Sequence, residues 1–138
     1  MNVGDTFGPS SWVEITQERI DRFADATGDH QWIHVDPARA KDGPFGTTIA
    51  HGYLTLSLIP NASFEVVPSS GKMGINYGVN RVRFPAPVPV GSKLRTSFEV
   101  VAVEGIQGGS QVTMNATVER EGGEKPVCVA EVISRHYD

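Results

Sequence analysis

The order of elements along the chain predicts an α+β protein, with helix packed on one face of an antiparallel sheet. Three observations carry that prediction. Helix signals are confined to the first half, strand signals follow Gly71, and the last three strand segments lie close enough in sequence to pair as a meander. At 138 residues the chain has a single-domain length, read as one domain over 1–138, and can bury a substantial core.

The first helix is predicted from Thr16 to Thr27. Thr16 is a good N-cap, Glu18 sits in the electropositive first turn, and Gly28 can close the helix in a left-handed conformation. Ile20, Phe23, Ala24 and Thr27 form one apolar stripe at helical spacing. The segment "DPARAKDGPFGTTIA" is rich in Pro, Gly and Asp and reads as a loop with one helical turn over Pro37–Lys41. The second helix, "HGYLTLSLIPNASFEVV", is apolar on most faces through Tyr53, Leu54, Leu56, Leu58, Ile59 and Phe64, so it is expected to be largely buried. Pro60 removes a backbone donor and should kink or end its first part.

Four segments alternate and are rich in β-branched residues: "GINYGVNRVRF", "SKLRTSFEVVAV", "SQVTMNATVER" and "KPVCVAEVISRHY". The clusters "PAPVPVG", "EGIQGG" and "EGGE" separate them as turns. A long apolar helix wrapped by such a sheet is a hotdog-type arrangement.

Composition narrows the function. Hydrophobic residues make up 39% and charged residues 20%, with a net charge of −4. No Lys/Arg run exceeds two residues, which argues against a nucleic-acid footprint or a polybasic membrane patch. The N-terminus lacks the basic start and apolar core of a signal peptide, and no apolar run approaches membrane-spanning length. Cys128 is the one cysteine, so no internal disulfide forms; a cytoplasmic setting is expected.

The stretch "TGDHQWIHVDP" concentrates reactive side chains. A metal site is not expected, because His30 and His34 share no zinc spacing and neither a Cys pair nor HExxH occurs. GxSxG, the P-loop and a strand-linked GxGxxG are absent too. What remains is Asp29 with His34 five residues on, joined through apolar Trp32–Ile33. A carboxylate and an imidazole can share one water, and adding or removing water needs such a pair. Taken alone, Asp29 reads better as turn chemistry after Gly28, and His34 as a ring packed beside Trp32. In "GTTIAHGYL", His51-Gly52 opens the second helix. Backbone N–H groups there favour a developing negative oxygen, and glycine permits close approach of a carbonyl. The same glycine could serve helix packing alone. His51 is expected to support the helix start, and His30 and Asp36 to stand aside.

These runs resemble a known family. "FADATGDHQWIHVDPARA" is similar to the hydratase signature of the MaoC-like dehydratases, the (R)-specific enoyl-CoA hydratases, with an aspartate and a histidine five residues later. "IAHGYLTLSLIP" resembles the family's oxyanion-hole segment, and "VNRVRFPAPVPVGSKL" its Arg-Phe, Pro-Val and Gly strand-and-turn. The likeness spans most of the chain and is nearest to NodN-like proteins. It implies a hotdog fold, a catalytic pair of Asp29 and His34, and a thioester carbonyl bound by the Gly52 amide. The implied reaction is reversible hydration of a trans-2-enoyl-CoA to a (3R)-3-hydroxyacyl-CoA. No cofactor is implied, since coenzyme A is the substrate's handle. A homodimer with sites near the subunit boundary is also implied.

The chain departs from the family between Asp29 and His34, where Gln31-Trp32 replaces Asn-Pro. Gln31 keeps an amide on a longer arm, and Trp32 adds a large wall. Both are substrate-contact candidates. Tyr77, Gly78 and Asn80 are candidates for the acyl cavity or coenzyme entry, against plain strand alternation. The acyl pocket is expected near Leu54, Leu58 and Met73. Two other functions share this fold logic: an acyl-CoA thioesterase, which the Asp-x4-His spacing disfavours, and a non-catalytic acyl-CoA-binding protein, which Gln31-Trp32 permits.

Overall fold

The computed structural model describes residues 1–69 and 71–138. Two short strands, β1 (Thr6–Phe7) and β2 (Val13–Glu14), precede helix α1 (Gln17–Thr27). Two brief helices follow, α2 (Trp32–Val35) and α3 (Pro37–Lys41), then α4 (Gly52–Ser57) and α5 (Ile59–Val66). Strands β3 (Met73–Arg83), β4 (Lys93–Ile106), β5 (Gly109–Arg120) and β6 (Cys128–Tyr137) complete the chain. All pairings are antiparallel, in the order β1-β4-β5-β6-β3, with β2 also on β4.

Helix α1 forms as its caps dictate. The Thr16 side chain accepts from the Arg19 amide, and Gly28 takes φ 84°, its N–H returning to the Ala24 carbonyl. The predicted turn at Pro37–Lys41 is α3, capped by the Asp36 side chain accepting from the Arg39 amide. Asp36 is therefore occupied as a cap. Helix α2 was not expected; it is a single turn of four residues, closed by the Asp36 N–H donating to the Trp32 carbonyl. β1 and β2 were also missed, each being two residues long.

The central helix is the main correction. It is two segments, broken at Leu58, with Pro60 in the first turn of α5 where its missing N–H costs nothing. The expected all-round burial holds only on the sheet side. Leu54, Thr55, Ile59 and Ala62 are buried, whereas Tyr53 and Phe64 are 71% and 83% exposed. One sheet covers one side of a helix, so the opposite apolar side chains of this chain face outward.

The core lies between α4–α5 and the inner face of the sheet. Along β4, Leu94, Thr96, Phe98 and Val100 are buried at every second position, as a half-covered strand requires. Val112, Met114, Ala116 and Val118 of β5 and Ala130 of β6 extend that face. Each fully buried aliphatic side chain contributes about 1.5–3 kcal/mol. By contrast β3, at the sheet edge, leaves Met73, Ile75, Tyr77 and Val79 exposed. No helix among the described residues is long and apolar enough to cross a membrane.

Candidate active site

Four segments meet at the start of α4. Asp29 follows the α1 cap, His34 lies on α2, Ile49 precedes α4, and His51 is its N-cap residue. The side-chain ligating atoms of Asp29, His34 and His51 all lie within 4.8 Å of one another. Asp29 is exposed, whereas His34 and His51 are buried at 7% and 2% exposure. The site thus presents one carboxylate at the surface above two buried rings.

Hydrogen bonds set the tautomers. His34 Nδ1 lies 2.7 Å from the Ile49 carbonyl oxygen, which can only accept, so Nδ1 carries the proton. The lone pair of His34 is then on Nε2. His51 Nε2 lies 2.9 Å from the Asp29 backbone carbonyl and must donate to it, leaving a lone pair on buried Nδ1. The two rings stack at 3.9 Å with planes 22° apart, and Phe23 packs on His51 at 4.8 Å. Gln17 ties the frame together: its amide nitrogen donates to the His34 carbonyl at 2.8 Å, and its oxygen accepts from Thr48 at 2.6 Å.

Burial, the largest cause, holds His34 below the ordinary histidine value of 6.5. The Ile49 bond opposes it, neighbouring His51 adds to it, and the Asp29 carboxylate opposes it. His34 is therefore neutral at pH 7 and able to accept a proton at Nε2.

Asp29, His34 and His51 have the residue types of a metal site, but the stack is wrong for one. Two imidazoles on a single ion must both hold it in their ring planes. Face-to-face rings 3.9 Å apart direct their in-plane lone pairs side by side instead of towards one point.

Gly52 is the first residue of α4, so its N–H has no acceptor within the helix. Its identity also has a packing cause. A Cβ here would stand 3.0 Å from two ring carbons of Phe84. Beside it is a cleft of about 310 Å³, bounded by Phe45, Ile49, Gly52, Phe84 and Val88 among others. A second cavity of about 340 Å³ opens farther along the helices, between Leu56, Ser57, Ile59 and Ser63 and the strand residues Tyr77, Gly78 and Val132.

Of the substrate-contact candidates, Tyr77 and Gly78 line that second cavity. Asn80 does not; its side-chain amide donates to the carboxylate of Glu131, its cross-strand partner in the β3–β6 pair. Gln31 is exposed, and its backbone N–H donates to Asp29 Oδ1 at 3.3 Å. Trp32 faces α3, with Arg39 over its ring at 4.4 Å and Gly43 beneath, so it walls neither cavity. Leu54 is core, Leu58 borders another small recess, and Met73 is exposed, so the pocket is lined by other residues of the same helices than those expected. Ser57 lines the cavity with its hydroxyl donating to the Leu54 carbonyl. His30 pairs outward with Asp25 at 3.0 Å. The reading missed Gln17 and the contacts of His51; the histidine abutting Gly52 in "AHGYL" was the available signal for the second.

A family model described as MaoC like domain matches residues 1–122. The chain belongs to the MaoC-like dehydratase family. It is thereby an enzyme of the hydro-lyase class. Among curated proteins it is similar to 3-hydroxyacyl-thioester dehydratase Z of Mycobacterium tuberculosis, 58% identical over 135 residues, covering 96% of this chain and 89% of that protein. Nodulation protein N of Rhizobium leguminosarum bv. viciae is 45% identical over 137 residues, covering 96% and 84%. Among solved structures, the unliganded R-hydratase PhaJ1 from Pseudomonas aeruginosa superposes with a TM-score of 0.82 at 29% identity, covering 100% of this chain and 83% of that one. This MaoC-like dehydratase therefore shares its hotdog fold, a central helix against an antiparallel sheet, with an (R)-hydratase.

Proposed function

We propose that this MaoC-like dehydratase interconverts trans-2-enoyl-CoA and (3R)-3-hydroxyacyl-CoA by reversible hydration. The observation that supports this most is the pairing of an exposed carboxylate, Asp29, with a buried neutral imidazole, His34, whose Nδ1–H is committed to Ile49. Both groups can then accept from one water. In hydration the water oxygen bonds to C3 as the pair takes one of its protons. The electrons of the C2–C3 double bond shift to C2 and the thioester oxygen, and the proton returns to C2 on the same face. The Gly52 amide offers the growing enolate oxygen a hydrogen bond, and a donor of this kind is worth about 3 kcal/mol. No cofactor enters these steps.

The acyl chain is assigned to the cavity between Ser57, Ser63, Tyr77 and Gly78. Ser57 lies about 7 Å along the helix axis from Gly52, so enoyl groups longer than crotonyl gain contacts there. We also read the protein as a homodimer. The free edge of β3 and its exposed Met73, Ile75, Tyr77 and Val79 are surfaces that proteins normally cover.

Crotonyl-CoA and octenoyl-CoA test the function, followed by loss of conjugated-thioester absorbance together with free-thiol release. Hydration without thiol release supports the proposal, with octenoyl-CoA preferred. Thiol release makes the protein a thioesterase, and binding with neither signal makes it a carrier. Sedimentation reads the oligomeric state.

A further inference from the structure

His51 is two-sided in a way the proposed chemistry does not use. One side of its ring lies against the catalytic candidate His34, 3.9 Å away and nearly parallel. Its Nε2–H reaches the backbone carbonyl of the other candidate, Asp29, at 2.9 Å. One side chain therefore touches both members of the pair, although Asp29 and His34 come from different elements. Its remaining nitrogen, Nδ1, is buried with no partner among the described residues.

That orphan nitrogen argues against simple space filling. A phenylalanine would fill the same slot beside Phe23 without burying an unpaired acceptor, which is costly and uncommon. What the imidazole supplies, and a phenyl ring does not, is the donor to Asp29. What an amide side chain does not supply is a flat face for His34.

We propose that His51 is a positioning residue that locks Asp29 and His34 in register, by donating to the Asp29 backbone and stacking on the His34 ring. The inference rests on the hydratase reading above. It also assigns a reason for the histidine directly before Gly52: the same residue that starts α4 sets the distance between the acid–base pair and the amide it serves.

Two variants separate the functions. His51→Phe keeps a stacking ring and loses the donor; His51→Gln keeps a donor and loses the stack. Each is expected to lower kcat for octenoyl-CoA by roughly 10–100-fold with KM little changed, as loss of register predicts. The pH profile gives a readout that bare packing would not move. The titratable groups facing His34 are Asp29, from the loop after α1, and His51; α1 itself presents neutral Gln17, and the segment before α4 the Ile49 carbonyl. Because His51 pushes the His34 pKa down, the acid limb should move to higher pH in His51→Phe. Unchanged kcat and an unmoved acid limb in folded variants would overturn the proposal, as would losses that track melting temperature alone. Should both variants fail to fold, histidine-labelled NMR of the wild-type protein decides. The proposal requires the proton on Nε2 of His51 and on Nδ1 of His34, and the opposite tautomer of His51 sinks it. That measurement is independent of turnover, so failure of the hydratase reading, seen as an inactive wild-type protein, is distinguished from failure of the His51 contacts, seen as the wrong tautomer.

Discussion

His30 and His34 sit four residues apart and meet opposite fates. His30 is exposed, pairs with the Asp25 carboxylate, and is held above 6.5 chiefly by that bond. His34 is buried beneath the start of α4, donates to a carbonyl, and is held below 6.5 chiefly by burial. The same residue type in one short stretch is thus an exposed ring whose charged form a carboxylate favours in one place, and a buried ring whose charged form is disfavoured in the other. The lesson is that reactivity here depends on what covers the ring, and α4 covers only one of them.

The comparison breaks most visibly by removing one ring or its partner. His34→Ala and Asp29→Asn are each expected to lower hydration by about 10²–10⁴-fold, while His30→Ala leaves turnover at the wild-type value; steady-state assays of purified variants check this. Next in size is Gly52→Ala, which brings a methyl to 3.0 Å from the Phe84 ring. Phe84 is 42% exposed and can swing aside, so the cost should lie near the low end of overpacking, about 1 kcal/mol by chemical denaturation. Activity should fall further than stability does, and Phe84→Leu should restore part of both.

Smaller effects sharpen the contrast. The proposed reaction needs neutral His34, so its rate should fall on the acid side with a midpoint below 6.5, and a midpoint above 6.5 would contradict the burial argument. The linkage has the same sign. Below 6.5 the unfolded chain takes up a proton that folded His34 refuses, so stability contributed by this group is lost as pH falls. His30 has the reverse sign, its contribution fading as pH rises through its raised value, but its exposed position makes the effect too small to shift a melting curve. NMR titration should find the His30 midpoint above that of His34, and reversal of that order would remove the distinction between the two sites.

Much of the fold was legible because its signals are local. Thr16 and Gly28 bracket α1, Pro60 marks the break between α4 and α5, and alternation marks the four long strands. Less legible were features set by contacts distant in sequence. β1 and β2 are too short for any period, and the outward faces of Tyr53 and Phe64 depend on which side of the helices the sheet covers. Tyr77 and Asn80 were both candidates on one strand, yet Tyr77 lines the cavity while Asn80 pairs with Glu131 across the β3–β6 ladder.

By itself the sequence determined the α+β class, the two helix regions with the caps of the first, and the spacing that makes Asp29, His34 and Gly52 a candidate set, since each follows from neighbours within a few residues. Only the tertiary structure decided which histidine is buried, which nitrogen holds its proton, and that His51 bridges the pair. Burial and hydrogen-bond partners come from chain segments such as Ile49–His51 arriving from fifteen or more residues away, and no local pattern encodes which ring they will land on.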